Sequence, residues 1–337
     1  MDKIKQIFIV GSSRSGTTMM GRILGNHSDI FTFKELHFFG TIWTNNSEST
    51  LDRKQQIDLL SRLLCIEKNG LFQQGNISYF NDEANAILTN ENVSNPVSIY
   101  ELFLAKITSD NKCFIACDQT PKNMYYLNEI LSFFPNAKVI NMVRDQRDVL
   151  LSQKKKWKRR FLGASSIPLS EAIRSYINYH PILTAKIWNS SLEYSAEFTN
   201  NNKVRIVKFE ELLVNPVRIV KDLCQFLEID YHQKMLKVPV VGSSTEQDVN
   251  NQLLIDISKM EKWKSGGLNS AEIYLSQLIS NCMMRKFKYD LQTIKFPPIL
   301  TLFYLITLPI KLGLTFILNI KRMGNVVEVF KKIFFIK

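Results

Sequence analysis

The chain has 337 residues, of which 45% are hydrophobic and 11% aromatic. This length suits one large α/β domain or two small ones, and the ordinary apolar content excludes a disordered or fibrous chain. Lys and Arg number 43 against 31 Asp and Glu, a formal net charge of +12. Such an excess favours anionic partners: a nucleotide, a polyanionic acceptor or an acidic membrane surface.

The cysteines indicate the redox environment in which the protein is found. There are five, an odd number, and none forms a Cys-x-x-Cys pair. No secretory signal peptide precedes the first apolar segment. We therefore expect buried thiols in a reducing environment, and so a cytoplasmic protein that is at most peripheral on the inner face of a membrane.

Apolar β-forming runs alternate with helical segments along most of the chain. Strands are predicted at residues 4–10, 113–117, 139–143 and 204–208, with a short extended piece at 30–33. Helices are predicted at 17–25, 124–134, 146–153 and 216–227, after Pro168, and as a helical insertion at about 49–109. Strands separated by helices indicate an α/β fold with a parallel sheet. Ligands of such sheets bind beyond the carboxyl ends of the strands.

The first motif is the loop Gly11-Ser-Ser-Arg-Ser-Gly-Thr-Thr18, which follows the first predicted strand and precedes an apolar helix. Backbone N–H groups of such a loop, together with the positive end of the helix, bind an anion. The alternative is a glycine-rich turn with no ligand. We predict a phosphate-binding site made by Ser13, Arg14, Ser15, Gly16, Thr17 and Thr18.

Two features argue against a nucleoside triphosphatase. A Walker A loop has lysine directly after its second glycine. Here Thr17 takes that place, and the cation lies three residues earlier, at Arg14. The strand at 139–143 runs into Arg144, where a Walker B strand would end in a magnesium-binding Asp. The sequence therefore predicts a site for a phosphate-like group, but not for Mg-ATP.

The second motif is Arg144-Asp-Gln-Arg-Asp-Val-Leu-Leu-Ser152. Ser152 lies about two helical turns beyond Arg144, so both can face one point at the helix start. An arginine fork and a hydroxyl that converge make a second phosphate site. The alternative is that the charged residues at 144–148 simply pair with each other at a helix N-terminus.

The end of the chain is basic and apolar. From Phe296 to Ile320 a long apolar stretch is broken by Lys311 and Asn319, and with Lys311 allowed it reaches the ~20 residues that span a bilayer. Half of the excess positive charge lies from Lys295 onward, where seven basic residues face one acid, Glu328. We expect residues 296–337 to bind an anionic membrane surface; a soluble core helix is the alternative.

Together the two motifs resemble the sulfotransferases that use 3′-phosphoadenosine 5′-phosphosulfate (PAPS). Residues 11–18 match the 5′-phosphosulfate loop of that family, and Arg144 to Ser152 match its 3′-phosphate motif. The segment Val207-Lys-Phe-Glu-Glu-Leu-Leu-Val-Asn-Pro216, with Phe226-Leu227, is similar to the last core strand and helix. The resemblance covers about residues 4–290.

The resemblance implies a three-layer α/β/α sandwich around the parallel sheet, with PAPS as donor and no metal. It implies a sulfotransferase domain at 1–290 and a separate tail at 291–337. The acceptor would be a carbohydrate or another hydroxyl compound, and we expect no nucleic acid partner. The alternative function is a P-loop nucleotide-binding protein, or a kinase relative, without sulfotransferase activity.

Catalytic roles follow from the same resemblance. The run Lys34-Glu-Leu-His-Phe-Phe39 is similar to a segment of heparan sulfate 3-O-sulfotransferases whose Glu is the base, and tyrosylprotein sulfotransferases place a catalytic Glu after their second strand. Glu35 is thus the expected base, with a pKa raised by aromatic neighbours and opposed by Lys34; structural pairing with Lys34 or Arg14 is the alternative. His37 is the rival base, unless it is merely packed. Arg14 would stabilise the leaving oxygen.

Three further features leave their roles open. Many relatives have Lys-Thr-Pro where this chain has Gln119-Thr-Pro121, which puts a second catalytic cation in doubt. Trp263 would either cap the nucleotide or pack, and packing is favoured. The basic run at 154–160 could hold an anionic acceptor, although a solvated helix face is favoured.

Overall fold

Five parallel strands form the central sheet in a computed structural model, which describes residues 5–319 apart from 46, 48, 49, 72–74, 166, 241–248 and 254. The strands are β1 (Lys5–Gly11), β2 (Ile30–Thr32), β3 (Ile115–Asp118), β4 (Lys138–Val143) and β5 (Val204–Lys208). Their order across the sheet is β2-β3-β1-β4-β5, and every neighbouring pair is parallel. A short antiparallel pair, β6 (Pro239–Val240) and β7 (Val249–Leu253), lies outside this sheet.

Helices connect the strands and continue beyond the last one. They are α1 (Thr17–Gly25), α2 (Arg53–Asn69), α3 (Asn81–Leu88), α4 (Pro96–Asp110), α5 (Leu127–Phe133), α6 (Gln146–Lys154), α7 (Leu169–Asn178), α8 (Pro181–Glu197), α9 (Phe209–Val214), α10 (Pro216–Leu227), α11 (Ser270–Lys286) and α12 (Pro298–Asn319). Short 3-10 helices include Pro121–Tyr126, Lys156–Phe161, Ile257–Lys259 and Lys262–Ser265.

Strand β1 shows why the fold has three layers. Its side chains alternate between the two faces of the sheet because successive Cβ atoms of a strand point to opposite sides. Phe8 and Val10 join a buried cluster with residues of α2 and α4, whereas Ile7 and Ile9 join another with residues of α1 and α10. Burying each such side chain contributes roughly 1.5–3 kcal/mol. The predicted α/β/α sandwich is confirmed.

The strand order places the two sequence motifs side by side. From β1 the chain turns towards β2 and β3, and from β3 it crosses β1 to reach β4. Strands β1 and β4 are therefore neighbours at the point where the chain changes direction, and a crevice opens beyond their carboxyl ends. Residues 11–18 leave β1 there and residues 144–152 leave β4 there.

Most predicted elements agree with the structure to within a few residues. The strand predicted from 113 starts at Ile115 because the backbone N–H groups of Phe114 and Ile115 both donate to the carbonyl of Asp29. The helix predicted from 124 starts as the 3-10 turn at Pro121 and continues as α5. Helices α2, α3 and α4 occupy the expected insertion. The pair β6 and β7 was not predicted, and the domain boundary at 290 stays a prediction.

Gly11 is the tightest point between the two central strands. Its φ is +139°, and a Cβ built on it would lie 2.3 Å from the backbone oxygen of Met142 in β4. We predict that Gly11→Ala lowers the free energy of unfolding by at least about 1–3 kcal/mol, because the strand cannot move without disturbing the sheet. Thermal unfolding measures the loss.

Gly313 provides the matched control. It lies inside α12 with no atom within 4 Å of a Cβ built on it, so Gly313→Ala should leave stability unchanged or raise it by up to about 1 kcal/mol. Wild-type stability in the Gly11→Ala protein would contradict this account of the packing of β1 against β4.

Candidate active site

The loop after β1 has the geometry of an anion cradle. Gly16, at φ +95°, precedes α1, and no side chain caps the N-terminal amides of this helix. A Cβ on Gly16 would lie 2.3 Å from the Phe209 ring, so the loop is held close to the start of α9. The hydroxyl oxygen of Ser15 is buried and has no hydrogen-bond partner among the described residues. A phosphate group matches these unpaired donors.

Arg14 joins the two sequence motifs. Its Nε donates to the Oγ of Ser152 at 2.8 Å, and its carbonyl oxygen accepts from Nη1 of Arg144 at 3.3 Å. Its backbone adopts the left-handed conformation at φ +74°, which costs energy for a residue other than glycine. The structure therefore brings together Arg14, Arg144 and Ser152, as the sequence predicted.

Arg144 is fixed from several sides. The indole of Trp188 donates to its carbonyl oxygen at 2.9 Å, and its own Nη2 donates to the carbonyl of Lys259 at 2.7 Å. The guanidinium lies over the Phe209 ring at 4.5 Å and 3.6 Å from the carboxylate of Asp148. Its Nε is buried and has no hydrogen-bond partner in the described part of the chain, which leaves a donor for an anion.

The neighbouring charges are structural, as the alternative interpretation of the second motif proposed. Arg147 pairs with Asp145 at 2.6 Å and lies over the Trp263 ring at 3.9 Å. Asp148 accepts from the backbone N–H groups of Glu261 and Trp263 at 2.9 and 3.1 Å. Trp263 is buried in this arrangement, which agrees with the favoured packing role.

Glu35 and His37 form a pair in the segment after β2. The Oε2 of Glu35 lies 3.3 Å from the Nε2 of His37, and the backbone N–H of His37 donates to the hydroxyl of Thr120 at 3.3 Å. The side chain of Glu35 is 43% exposed and that of His37 only 12%. The carboxylate is therefore open to an approaching group, with the imidazole behind it.

The pKa of Glu35 corrects one expectation. Burial alone would raise this pKa, but the hydrogen bond from His37 and the charges of His37, Lys156 and Arg14 lower it below the usual range. The expected rise is wrong because the hydrogen bond from His37 and the nearby positive charges together outweigh the effect of burial on the pKa. Pairing with Lys34 is also excluded, since the ammonium of Lys34 donates to the carbonyl of Lys68 at 2.7 Å.

Lys156 is the site residue that sequence reasoning missed. Burial lowers its pKa to about 8, and the positive charges of Arg14, Arg174 and Arg159 act in the same direction, while Glu35 opposes them. Lys154 likewise pairs at 2.7 Å with the buried Glu272, whereas Lys158 is exposed, so the basic run at 154–160 is solvated only in part. One signal was available: residue 156 lies one helical turn beyond Ser152, on the same face.

The pKa of Arg14 is lowered for the same reasons. Burial lowers its pKa to about 9, the positive charges of Arg159 and Arg144 add to this effect, and Glu35 opposes it. Arginine remains protonated at neutral pH even so. Since both Arg14 and Lys156 are held as cations in surroundings that disfavour positive charge, an anion placed between them would be strongly stabilised.

Two further residues hold this arrangement. Glu210 accepts from the backbone N–H of Asp145 at 2.8 Å and from the hydroxyl of Tyr289 at 3.0 Å, which fixes the start of α6. Gln119 stands where many relatives carry lysine. Its Oε1 points towards Gly21 of α1 and lies 2.3 Å from the position of a Cβ built on that glycine. Gln119 therefore adds no charge to the site.

Comparison with known proteins agrees with this geometry. An uncharacterized protein of Aquifex aeolicus is 25% identical over 267 residues, which are 77% of this chain and 30% of that protein. Protein-tyrosine sulfotransferase 1 of Danio rerio is 24% identical over 295 residues, 84% of this chain and 72% of that one. The chain thus spans less than a third of the Aquifex relative.

The fold is also that of a solved structure, the sulfotransferase domain of the Synechococcus PCC 7002 olefin synthase. It matches with a TM-score of 0.54 and 20% identity, over 86% of this chain and 96% of that domain. Residues 6–233, more than half of the chain, match the sulfotransferase family. The chain therefore belongs to the sulfotransferase family, which confirms the family and the enzyme class that its two motifs predict.

Proposed function

We propose that the protein transfers a sulfuryl group from PAPS to a hydroxyl or amine of an acceptor. The observation that carries this proposal is the position of Arg14, which joins the two motifs through Ser152 and Arg144 and, like Lys156, interacts electrostatically with the accessible carboxylate of Glu35. A nucleotide-binding protein without activity, or a kinase relative, would not need two cations with lowered pKa values near Glu35. A kinase would in addition need a magnesium-binding acid where this chain has Arg144.

The donor would be held at both ends. The backbone of the loop, with the side chains of Ser13, Ser15, Thr17 and Thr18 and the backbone at Gly16, would bind the 5′-phosphosulfate. Arg144 and Ser152 would bind the 3′-phosphate. The unpartnered Ser15 hydroxyl and Arg144 Nε support this assignment. No metal ligand is part of the proposed site.

The reaction requires a base and a cation. PAPS supplies the sulfuryl group and a phosphate leaving group when bound. The acceptor oxygen forms the new bond to sulfur while the bond from sulfur to the bridging phosphate oxygen breaks, and its electron pair stays on that oxygen. Arg14 and Lys156 stabilise the charge that builds there. Glu35 takes the acceptor proton.

The structure gives Glu35 and His37 different positions. Glu35 is ionised at neutral pH, because its pKa is lowered, and its carboxylate is exposed. His37 lies behind it and can donate from Nε2, which orients the carboxylate. We therefore propose Glu35 as the base and His37 as its positioning partner, with His37 as the alternative base.

The proposed acceptor is a hydroxyl compound such as a carbohydrate. Protein tyrosine is a second candidate, because the Danio relative is named a protein-tyrosine sulfotransferase. Membrane association is proposed through α12, which is long and apolar enough to cross a bilayer. Only 6% of its most apolar stretch is buried inside the protein. The alternative of a buried core helix does not fit this exposure. A cytoplasmic location stays a prediction, as does the structure of residues 320–337, which lie outside the described residues.

The donor site gives a binding prediction. Adenosine 3′,5′-bisphosphate should raise the melting temperature without Mg²⁺, and AMP far less, because AMP lacks the 3′-phosphate. Arg144→Ala should weaken binding about 10- to 100-fold, since a charge-assisted hydrogen bond of roughly 1.5–3 kcal/mol is lost, and Ser152→Ala should weaken it less. Calorimetry measures both.

Arg218→Ala is the control, because this exposed arginine pairs only loosely with Asp222, at 3.9 Å. Equal stabilisation by both nucleotides, a need for Mg²⁺, or unchanged affinity in the Arg144→Ala protein would contradict the proposed donor site.

The base gives a kinetic prediction. Glu35→Gln keeps the size of the side chain but removes the proton acceptor, so turnover should fall about 10²–10⁴-fold with donor affinity retained. His37→Gln should have a smaller effect if His37 only positions Glu35. Normal turnover of Glu35→Gln together with inactive His37→Gln would instead make His37 the base.

Lys156 gives a pH prediction. The amine is charged below its pKa of about 8 and loses its charge above it, so kcat/KM for the donor should fall as the pH rises through about 8. Lys156→Arg keeps the charge to higher pH and should move this fall upward by more than one pH unit, an order-of-magnitude expectation from the higher pKa of arginine. An identical profile in the two proteins would exclude Lys156 from donor recognition.

A further inference from the structure

Helix α12 has its polar side turned inward. Toward α7, α8 and α11 it presents residues spaced three or four apart that carry hydroxyl, amine or amide groups: Thr301, Tyr304, Thr307, Lys311, Thr315 and Asn319. Its outward side is apolar, and Ile299, Ile306, Ile310 and Ile317 are each more than 60% exposed. This is the reverse of a helix on a water-exposed surface, which buries its apolar stripe.

The inward side is held by specific hydrogen bonds. Lys311 donates to the carbonyl of Ile177 at 3.1 Å, and Arg174 donates to the amide oxygen of Asn319 at 2.6 Å. Nearer the start of the helix, Asn269 donates to the hydroxyl of Tyr304 at 3.0 Å. Because these bonds fix α12 along the length of α7, its outward side stays exposed.

Helix α7 extends the same apolar surface. Leu169, Ile173 and Tyr176 recur at helical spacing and are 54%, 52% and 61% exposed. We call the outward sides of α7 and α12 together the apolar face. Exposed apolar patches of this kind mark an interaction surface, since leaving them in water is unfavourable.

The charges around the apolar face identify its occupant as a lipid bilayer. Residues 291–319 contain no acidic side chain, Lys158 and Lys295 are exposed, and the following residues 320–337 carry five basic side chains and one acid. Basic residues beside an apolar helical surface bind anionic lipid headgroups. A helix attached along one side to α7 would lie in the plane of the membrane surface and not cross it.

A single 3-10 helix, Lys156–Phe161, connects the apolar face with the active site. Lys156 at its start interacts electrostatically with Arg14 and Glu35, whereas the ring of the next residue, Trp157, packs 5.9 Å from Tyr176 of the apolar face. Lys311 of α12 lies over the same Tyr176 ring at 5.6 Å. The same short helix therefore carries both a cation that acts on Glu35 and a ring that packs against the apolar face.

We propose that the acceptor is a membrane lipid with a hydroxylated headgroup, presented to Glu35 by a bilayer bound to the apolar face. The inference rests on the proposed sulfuryl transfer. The lipid keeps its acyl chains in the bilayer, while its headgroup hydroxyl passes Lys156 and gives its proton to Glu35 as the oxygen bonds to sulfur. A water-soluble acceptor would need no such face beside the site.

The test follows the label from PAPS that carries radioactive sulfur. Full-length protein is incubated with vesicles made from the total lipid of cells that produce it, and in parallel with the water-soluble fraction of the same cells. We expect label in the organic phase of the vesicle reaction. Ile306→Glu combined with Ile310→Glu should reduce it about tenfold or more, because two carboxylates face anionic lipid.

Val217→Glu is the matched control, since Val217 is an exposed apolar residue on α10, outside the apolar face. It should keep the label. Both variants should keep the stabilisation by adenosine 3′,5′-bisphosphate, which shows that they are folded.

Four results would overturn the proposal. Label confined to the water-soluble fraction excludes a lipid acceptor but leaves sulfuryl transfer intact. Equal lipid labelling by wild type and the double variant shows that the apolar face does not present the acceptor. A dimer that the double variant dissociates, with no binding to vesicles, assigns the face to a second copy. No label in either fraction excludes the lipid acceptor, and if stabilisation by the bisphosphate is also absent, the proposed function fails with it.

Discussion

The hydrogen bond from Arg14 to Ser152 is the contact on which the site depends. It joins residues 138 positions apart in the chain, and it can form only because the strand order makes β1 and β4 neighbours. The left-handed backbone of Arg14 is a cost of bringing the loop to this point, and the close approach of Phe209 is possible because residue 16 is glycine. Strain of this kind persists where the surrounding structure fixes it, and it is common at functional sites.

The same region gathers positive charge at the expense of stability. Arg14 and Lys156 are half-buried near other cations, and partial burial and these charges lower the pKa of both groups. A ligand with anionic groups would relieve this repulsion and be bound tightly in return. A site arranged in advance for charge that develops during reaction needs little rearrangement at that moment, which is the usual source of electrostatic catalysis.

Features that short sequence motifs determine could be predicted, whereas features that depend on tertiary contacts could not. The loop at 11–18 and the motif at 144–152 are short patterns with a fixed structural meaning, so the sheet, its edge and the meeting of both motifs could be predicted. The lowered pKa of Glu35 could not, because it depends on how the side chain of His37 is placed against the carboxylate and, in addition, on the charges of Lys156 and Arg14 from distant segments. The place of Lys156 depends on a 3-10 helix that continues α6. The polar residues of α12 recur at helical spacing in the sequence, but only the packing of α12 against α7, α8 and α11 shows that they face the protein.

The central claim is that the half-buried cations Arg14 and Lys156 are part of the anion site for the donor. Proton uptake on binding tests it most directly, by calorimetry of adenosine 3′,5′-bisphosphate near pH 8 in buffers of different ionisation enthalpy. An anion beside Lys156 raises the pKa of its amine from about 8, so wild type should take up protons on binding, and Lys156→Arg, already charged, should take up far fewer. Binding without proton uptake, or equal uptake by both proteins, would contradict the account.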